Sequence, residues 1–148
     1  MKAQDIMEKE VVSVNQQATV REIAQVLLDH KISGVPVVDD AGDLVGIVTE
    51  GDLLHKEMSP RIPHFVNILG AIIYYNGVRR YDEDFKKLMA GQACEMMTKK
   101  VITVDEDADI DAVVKLMIEH GIKRIPVVKD NKVLGIVSRR DIIRALLH

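Results

Sequence analysis

The chain has 148 residues, of which 47% are hydrophobic, 29% charged and 3% aromatic, and its formal net charge is −3. These values predict one domain, or two very small ones, with a buried core, and they exclude a disordered or fibrous chain. No apolar run reaches the ~20 residues of a membrane-spanning helix, and the single cysteine, Cys94, excludes an intrachain disulfide and a cysteine-based zinc cluster.

The chain contains an internal repeat. Two stretches of sequence align with two later ones, first at a constant offset of 90 residues and then with one residue skipped in a loop. The matched stretches are 7–40 with 97–130 and 44–54 with 133–143. The predicted organisation is therefore repeat one (1–55), a connecting segment (56–92) and repeat two (93–148).

Each repeat is predicted to begin with a short strand, Val11–Val14 or Val101–Val104, followed by a helix. Thr19 and Asp109 are the expected N-caps, Thr19 and Glu22 have capping-box spacing, and Gly121 is expected to end the second helix. Apolar residues recur every three or four positions and predict one buried stripe on each helix. The stripes are Val20, Ile23, Ala24, Leu27 and Leu28, and Ile110, Val113, Val114, Met117 and Ile118.

Two apolar runs separated by turn residues follow each helix and predict a β-hairpin. The runs are Val35–Val38 and Leu44–Val48 in repeat one, and Ile125–Val128 and Val133–Val137 in repeat two. A last helix is expected to begin at Thr49 or Ser138. One such unit has a marginal core, so we predict an α/β (α+β type) fold in which two β-α-β-β-α repeats pack sheet to sheet with pseudo-twofold symmetry and leave clefts where they meet.

A hydroxyl residue stands three positions before an aspartate at the start of each last helix, as Thr49 and Asp52 in repeat one and Ser138 and Asp141 in repeat two. One interpretation is a helix cap, in which the hydroxyl accepts a backbone N–H and the acid offsets the helix dipole. The other is a ligand site, because a helix N-terminus attracts phosphate and a carboxylate can accept bonds from sugar hydroxyls. Both interpretations can hold together.

These features together resemble a tandem pair of CBS domains, known as a Bateman module. The resemblance rests on Ile32-Ser-Gly-Val-Pro36-Val-Val, Ile122-Lys-Arg-Ile-Pro126-Val-Val and both Gly-Ile-Val-(Thr/Ser)-x-x-Asp segments. It implies a regulatory, energy-sensing module that binds AMP, ADP or ATP in the clefts between the repeats, with no obligatory cofactor, no bound metal and no catalysis. It also implies that ribose binds Asp52 and Asp141, and phosphate Thr49 and Ser138. The adenine pockets that it implies are lined by Val12, Ile32, Ser33, Val35, Pro36, Ile102, Ile122, Ile125 and Pro126.

The two repeats differ in charge. Repeat one has 4 Lys and Arg against 10 Asp and Glu, whereas repeat two (93–148) has 10 against 9. Lys123 and Arg124 stand just before Pro126, where related modules place an arginine on phosphate, and Arg139 and Arg140 lie inside the last motif. We therefore expect phosphate to prefer repeat two; the alternative is that these four residues only solvate a helix start.

Three other hypotheses remain open for the function. The chain could be a structural dimerisation module without nucleotide, or a sensor of S-adenosylmethionine, whose sulfonium would suit the acidic first repeat. A small enzyme is the least supported, because the sequence contains no nucleophile and base pair and no metal-ligand spacing among its five histidines.

The partners expected are an adenine nucleotide, a second copy of the chain and an unidentified regulated protein. The connecting segment carries an amphipathic stripe that would serve as a dimer contact or as a lid over the ligand: Phe65, Ile68, Leu69, Ile72 and Ile73. The net charge argues against nucleic acid, and the charged N-terminus, which lacks a signal peptide, predicts a cytoplasmic protein without membrane association.

Overall fold

The structure is a computed structural model that describes residues 1–54 and 91–148. Its helices are α1 (Ala3–Ile6), α2 (Val20–Asp29), α3 (Ala93–Met96), α4 (Ile110–His120) and α5 (Arg139–Ala145). Its strands are β1 (Val14–Asn15), β2 (Gly34–Val38), β3 (Leu44–Thr49), β4 (Arg124–Lys129) and β5 (Lys132–Ser138), and residues 50–54 form a further helical turn. The predicted mixture of helices and strands in two repeats is confirmed.

The start of α2 and the end of α4 are as their sequences predict, whereas the expected N-cap Asp109 makes no side-chain capping bond at the start of α4. Thr19 and Glu22 form a reciprocal capping box at the start of α2, and Gly121 ends α4 with a left-handed φ of 61°. The predicted buried stripes are too wide, however, because Leu28 and Ile118 are each 75% exposed. One step along a helix turns the side chain by about 100°, so these residues point aside from the buried Leu27 and Met117 that precede them.

The predicted hairpins are present in both repeats. β1, β2 and β3 form a three-stranded sheet in that order, and β4 pairs with β5 in antiparallel register from Arg124 opposite Ser138 to Lys129 opposite Lys132. Asp130 and Asn131 make the tight turn with φ values of 51° and 64°, a conformation that Asp and Asn tolerate better than most residues.

The prediction for the first strand of each repeat is wrong in extent. In repeat one only Val14 of the predicted four residues lies in a strand, and in repeat two Val104 alone forms an isolated parallel bridge to Val127. The chain turns immediately afterwards, as the hydrogen bond from Ala18 N–H to Asn15 O shows. Pairing therefore stops before a longer strand can form.

The described chain divides into two compact units that cut across the sequence repeats. The first unit contains Met1–Ser13, Val38–Val45 and Lys100–His148, and the second contains Val14–Val37 and Gly46–Lys99, of which residues 55–90 lie outside the described range. The segment Met1–Ser13 thus folds with most of repeat two. Residues 91–99, which include the first residues of repeat two, fold with most of repeat one.

Each unit has its own core and one docked segment, which is Met1–Ser13 in the first unit and residues 91–99 in the second. In the first unit Ala3 is fully buried in a cluster with Val113 and Ile125, and its N–H donates to Ala108 O at 2.8 Å. In the second unit Ala93 is fully buried, and its N–H donates to Ala18 O at 2.8 Å. The two segments therefore dock by the same backbone contact.

The predictions for the amphipathic stripe of the connecting segment, as a lid or as a dimer contact, lie outside the described residues. In the ranges that are described, no helix combines the length and the apolar character needed to cross a lipid bilayer.

Candidate functional site

The Ser138 and Asp141 side chains form a capping box at the start of α5, in the first unit. Ser138 N–H and Ser138 Oγ both donate to Asp141 Oδ2 at 2.8 Å, and Asp141 N–H donates to Ser138 Oγ at 3.3 Å. The second carboxylate oxygen, Oδ1, lies 3.7 Å from Arg144 Nη1, and the Asp141 side chain is 12% exposed. Asp141 is thus a fixed carboxylate beside a helix start.

Thr49 and Asp52 repeat this geometry in the second unit. Thr49 N–H donates to Asp52 Oδ2 at 2.9 Å, Thr49 Oγ1 donates to the same oxygen at 3.2 Å, and Asp52 N–H donates to Thr49 Oγ1 at 3.2 Å. Asp52 is 7% exposed and is the one buried charged residue in the described part of the chain. The cap interpretation of both motifs is therefore confirmed, and both aspartates are oriented by it.

One backbone hydrogen bond in each repeat joins the last motif to the loop before β2 or β4. Arg139 N–H donates to Lys123 O at 3.1 Å in repeat two, and Glu50 N–H donates to Ser33 O at 2.9 Å in repeat one. In repeat two this contact continues the antiparallel pairing of β4 with β5 beyond Arg124 and Ser138. The predicted phosphate-binding residues of repeat two are therefore neighbours in the fold.

The side chains around this shared contact differ sharply between the repeats. Repeat two places four cations there: Lys123, Arg139 and Arg140 are exposed, and Arg124 is half-buried. Repeat one places Ser33, Gly34, Glu50 and Gly51 at the corresponding positions. The same backbone frame therefore carries a strongly positive surface in one repeat and a weakly negative one in the other.

The predicted adenine-pocket residues divide into two classes by burial. Val35, Pro36, Ile125 and Pro126 are completely buried, and Ile125 belongs to the core cluster of the first unit. Side chains packed into the core expose no surface to a ligand, and the assignment of these four residues to the adenine pockets stays a prediction. The half-buried members retain such surface: Val12, Ile32, Ser33, Ile102 and Ile122.

The structure does not bring all of these residues into one unit. Ile32 and Ser33 lie in the second unit with Thr49 and Asp52, whereas Val12 lies in the first unit. Ile102 and Ile122 lie in the first unit with Ser138 and Asp141. Each aspartate thus has partly exposed apolar residues in its own unit.

Arg144 was not predicted as a site residue, although its position three residues after Asp141 on α5 is the spacing of an intrahelical ion pair. Met7 lies close against Gly135 of β5, and Met97 lies close against Gly46 of β3. No local pattern could have revealed those contacts, because the partners are far apart in the sequence. Among the residues that the structure describes, no group of three or more His, Cys, Asp or Glu could hold a metal ion.

Comparison with known proteins relates both repeats to one family. The family model described as the CBS domain matches residues 3–59 and 93–148. An uncharacterized protein of Methanocaldococcus jannaschii is 32% identical over 99% of this chain and 92% of its own length. Inosine-5′-monophosphate dehydrogenase of the same organism is 30% identical over 97% of this chain, which spans only 23% of that enzyme.

Two solved structures with the same fold contain adenosine compounds. A CBS domain pair in complex with 5′-methylthioadenosine and S-adenosyl-L-methionine is 28% identical, with a TM-score of 0.71 over 99% of this chain and 95% of that one. CBSX2 in complex with AMP is 25% identical, with a TM-score of 0.73 over 99% of this chain and 96% of that one. Related CBS domain pairs thus bind ligands that share an adenosine group.

Proposed function

The chain belongs to the CBS-domain family, and from that membership we propose that it is a regulatory module that binds adenosine-containing ligands and catalyses no reaction. The observation that carries the proposal is the backbone bond between Arg139 and Lys123, which gathers four cationic residues beside the Ser138 and Asp141 capping box. Cations attract phosphate, and a fixed carboxylate accepts bonds from sugar hydroxyls. A nucleotide presents both groups at once.

We assign phosphate-bearing ligands, AMP, ADP or ATP, to repeat two. Asp141 would accept the ribose hydroxyls through Oδ1, the oxygen that the capping box leaves outside its three hydrogen bonds. Ser138 and the four cations would face phosphate, and the half-buried Ile102 and Ile122 would contact the base. The exposure of Lys123, Arg139 and Arg140 supports this assignment because their charges are accessible to a ligand.

Repeat one suits a ligand without phosphate. Glu50 replaces Arg139 at the shared backbone contact, and Ser33 and Gly34 replace Lys123 and Arg124. Asp52 would hold ribose as Asp141 does, with Thr49 as its capping partner. S-adenosylmethionine fits this charge pattern because its sulfonium is positive, and a related CBS pair is known in complex with it.

Isothermal titration of AMP, ATP and adenosine against the wild type and Lys123→Ala/Arg124→Ala tests the phosphate assignment. A charge-assisted hydrogen bond contributes about 1.5–3 kcal/mol to binding. The affinities for AMP and ATP should therefore fall by about tenfold or more in this variant, while the affinity for adenosine should change little. Lys99→Ala/Lys100→Ala is the matched control, because it removes two exposed cations from another part of the chain. Equal losses for all three ligands would contradict the assignment.

The ribose assignment is tested by Asp141→Asn, which keeps one oxygen for the cap but removes the charge. It should weaken AMP and adenosine alike, by about tenfold, because both carry the ribose. Glu22→Gln makes the same chemical change in the capping box of α2, where we propose no ligand, and should leave both affinities unchanged. Wild-type affinity for AMP in Asp141→Asn would show that Asp141 only caps its helix.

We also propose that the chain forms a homodimer and regulates a partner protein. Leu28 and Ile118, large apolar residues at corresponding positions of α2 and α4, are exposed and support self-association. Light scattering at micromolar concentration should give the mass of a dimer, and a monomer would contradict the proposal. A dimer that binds none of the adenosine ligands would favour the alternative of a purely structural dimerisation module.

A further inference from the structure

We propose that Met7 and Met97 are positioning residues for the two candidate sites, Met7 for Ser138 and Asp141 and Met97 for Thr49 and Asp52. This inference deepens the proposed function and rests on it only for the effect on ligands. Neither methionine is a member of the capping box that it would position. Each acts through the strand that leads into the box.

The first observation is the closeness of each methionine to a glycine. A Cβ atom added to Gly135 would lie 2.7 Å from Met7 Cγ, and one added to Gly46 would lie 2.7 Å from Met97 Cγ. Real Cβ atoms do not approach other heavy atoms so closely, so both methionine side chains occupy the space that any other residue would fill. Neither glycine has a left-handed φ, so backbone conformation does not require glycine at these positions. The closeness of the methionine side chains does.

The second observation is a two-bond backbone ladder beside each of these contacts. Glu8 N–H donates to Ile136 O at 2.9 Å and Ile136 N–H donates to Glu8 O at 3.0 Å. In the other unit, Thr98 N–H donates to Ile47 O at 2.9 Å and Ile47 N–H donates to Thr98 O at 3.1 Å. The residue after each methionine therefore pairs with the residue after each glycine.

The third observation is the short distance along the strand to the site. Ser138 is the second residue after Ile136, and Thr49 is the second residue after Ile47. Met7 also packs against the core cluster that Ile142, the neighbour of Asp141, contacts. A methionine that leaves its glycine would therefore release both the strand edge and the packing beneath the helix start.

Hydrogen exchange of the capping-box amides tests the proposal without any ligand. Ser138 N–H and Asp141 N–H are protected by the box at α5, and Thr49 N–H and Asp52 N–H by the box in the second unit. Met7→Ala should speed exchange at Ser138 and Asp141 by about tenfold and leave Thr49 and Asp52 unchanged. Met97→Ala should give the reverse pattern, so each variant is the control for the other.

A conservative variant of Met7 and a double variant of Gly46 and Met97 separate positioning from a general loss of stability. Met7→Leu keeps the side-chain volume and should restore the protection at Ser138 and Asp141. Gly46→Ala should speed exchange at Thr49 and Asp52, and adding Met97→Ala should reverse part of that change, because the three atoms nearest the new Cβ all belong to the Met97 side chain. Unchanged protection in Met7→Ala, or equal changes at both boxes, would overturn the proposal.

Titration of AMP then connects positioning with binding. If AMP binds as proposed, Met7→Ala should lower the affinity for AMP by about tenfold and Met7→Leu should leave it unchanged, in line with the exchange results. If the wild type does not bind AMP, the proposed function fails while the exchange result still supports or overturns the positioning residues. AMP affinity that stays unchanged although Ser138 and Asp141 lose protection would overturn the effect on the ligand.

Discussion

Thr19 and Asp109 occupy corresponding positions at the starts of α2 and α4, but they form different interactions. Thr19 caps its own helix through Glu22, whereas the Asp109 side chain makes no cap and instead bonds Lys2 Nζ at 2.7 Å. The Lys2 ammonium donates a hydrogen bond to Asp109 and attracts its charge, and both effects lower the pKa of the Asp109 carboxyl. The same pair raises the pKa of Lys2.

Lys2→Gln should raise the pKa of Asp109 toward its ordinary value of 3.8, because it removes the largest causes of the lowered pKa. Glutamine is the matched replacement, because Gln92 holds the corresponding position in the other docked segment. An NMR titration of the side-chain carboxyls measures the change. Lys129→Ala is the control, since Lys129 bonds Glu106 at 3.0 Å, and an unchanged Asp109 pKa in Lys2→Gln would contradict the assigned cause.

The sign of the pH dependence follows from the two shifts. Asp109 has a lower pKa in the folded state, so its contribution to stability is complete above its ordinary pKa and is lost as pH falls through the lowered one. The pKa of Lys2 is raised above its ordinary value of 10.5. Its contribution to stability is therefore complete below 10.5 and is lost as pH rises through the raised pKa. The pair is therefore fully formed across the neutral range.

Sequence spacing could predict the Thr19 cap but not the Asp109 contact. The cap partners are three residues apart, and the spacing of Thr and Glu is itself the signal. Lys2 and Asp109 are separated by 107 residues, so only the folded chain brings them together. At the candidate sites the motifs predicted both capping boxes for the same local reason, whereas the contact of Arg139 with Lys123 depends on the register of the β4 and β5 hairpin, which the spacing of the motifs does not determine.

At the scale of the secondary-structure elements, α2 and α4 end in the same backbone geometry with different residues. Lys31 has a φ of 53° and Gly121 a φ of 61°, and the next residue in each case donates its N–H back into the helix, from Ile32 to Leu27 O and from Ile122 to Met117 O, at 3.0 Å. Left-handed backbone strains a residue that has a Cβ atom. The first helix therefore carries a strain at its end that the second avoids.

Lys31→Gly should raise the free energy of unfolding by about 0.5–1 kcal/mol, because glycine relieves this strain. Gly121→Lys should lower it by about 1 kcal/mol for the opposite reason. Both positions are exposed, and a Cβ on Gly121 would meet no atom within 4 Å, so side-chain packing does not obscure the comparison. Urea denaturation with an unchanged m-value measures both, and a destabilised Lys31→Gly would contradict the explanation.

Periodicity predicted which face of each helix is buried but not the width of that face. Ile23 and Val113 lie at the centres of their stripes and are fully buried, whereas Leu28 and Ile118 lie at the edges and are exposed. The width of a buried face depends on what packs against it, which a single helix sequence does not contain.

At the scale of the whole molecule, the compact units do not coincide with the repeats that the sequence alignment detects. The segment Met1–Ser13 belongs to the unit that contains α4 and α5, and residues 91–99 belong to the unit that contains α2. The alignment shows that the two docked segments are similar in sequence, and similar segments can pack against similar surfaces. The sequence therefore could not specify which segment docks in which unit.

Deleting residues 1–8 should destabilise the first unit much more than the second. The deletion removes the fully buried Ala3, the half-buried Ile6 and Met7, and the ladder to Ile136, for a loss of roughly 2–4 kcal/mol. Hydrogen exchange should quicken in α4 and β5 and stay slow in α2 and β2. Equal effects on both units would show that they unfold as one cooperative body.

The division into units also sets an order during synthesis on the ribosome. Every residue of the second unit lies between Val14 and Lys99, so its chain is complete while most of the first unit is still untranslated. The first unit combines Met1–Ser13 with Lys100–His148, and its earliest residues must wait for its latest ones. Domains fold as their residues emerge, so we expect the Thr49 and Asp52 box to form on the nascent chain before the Ser138 and Asp141 box.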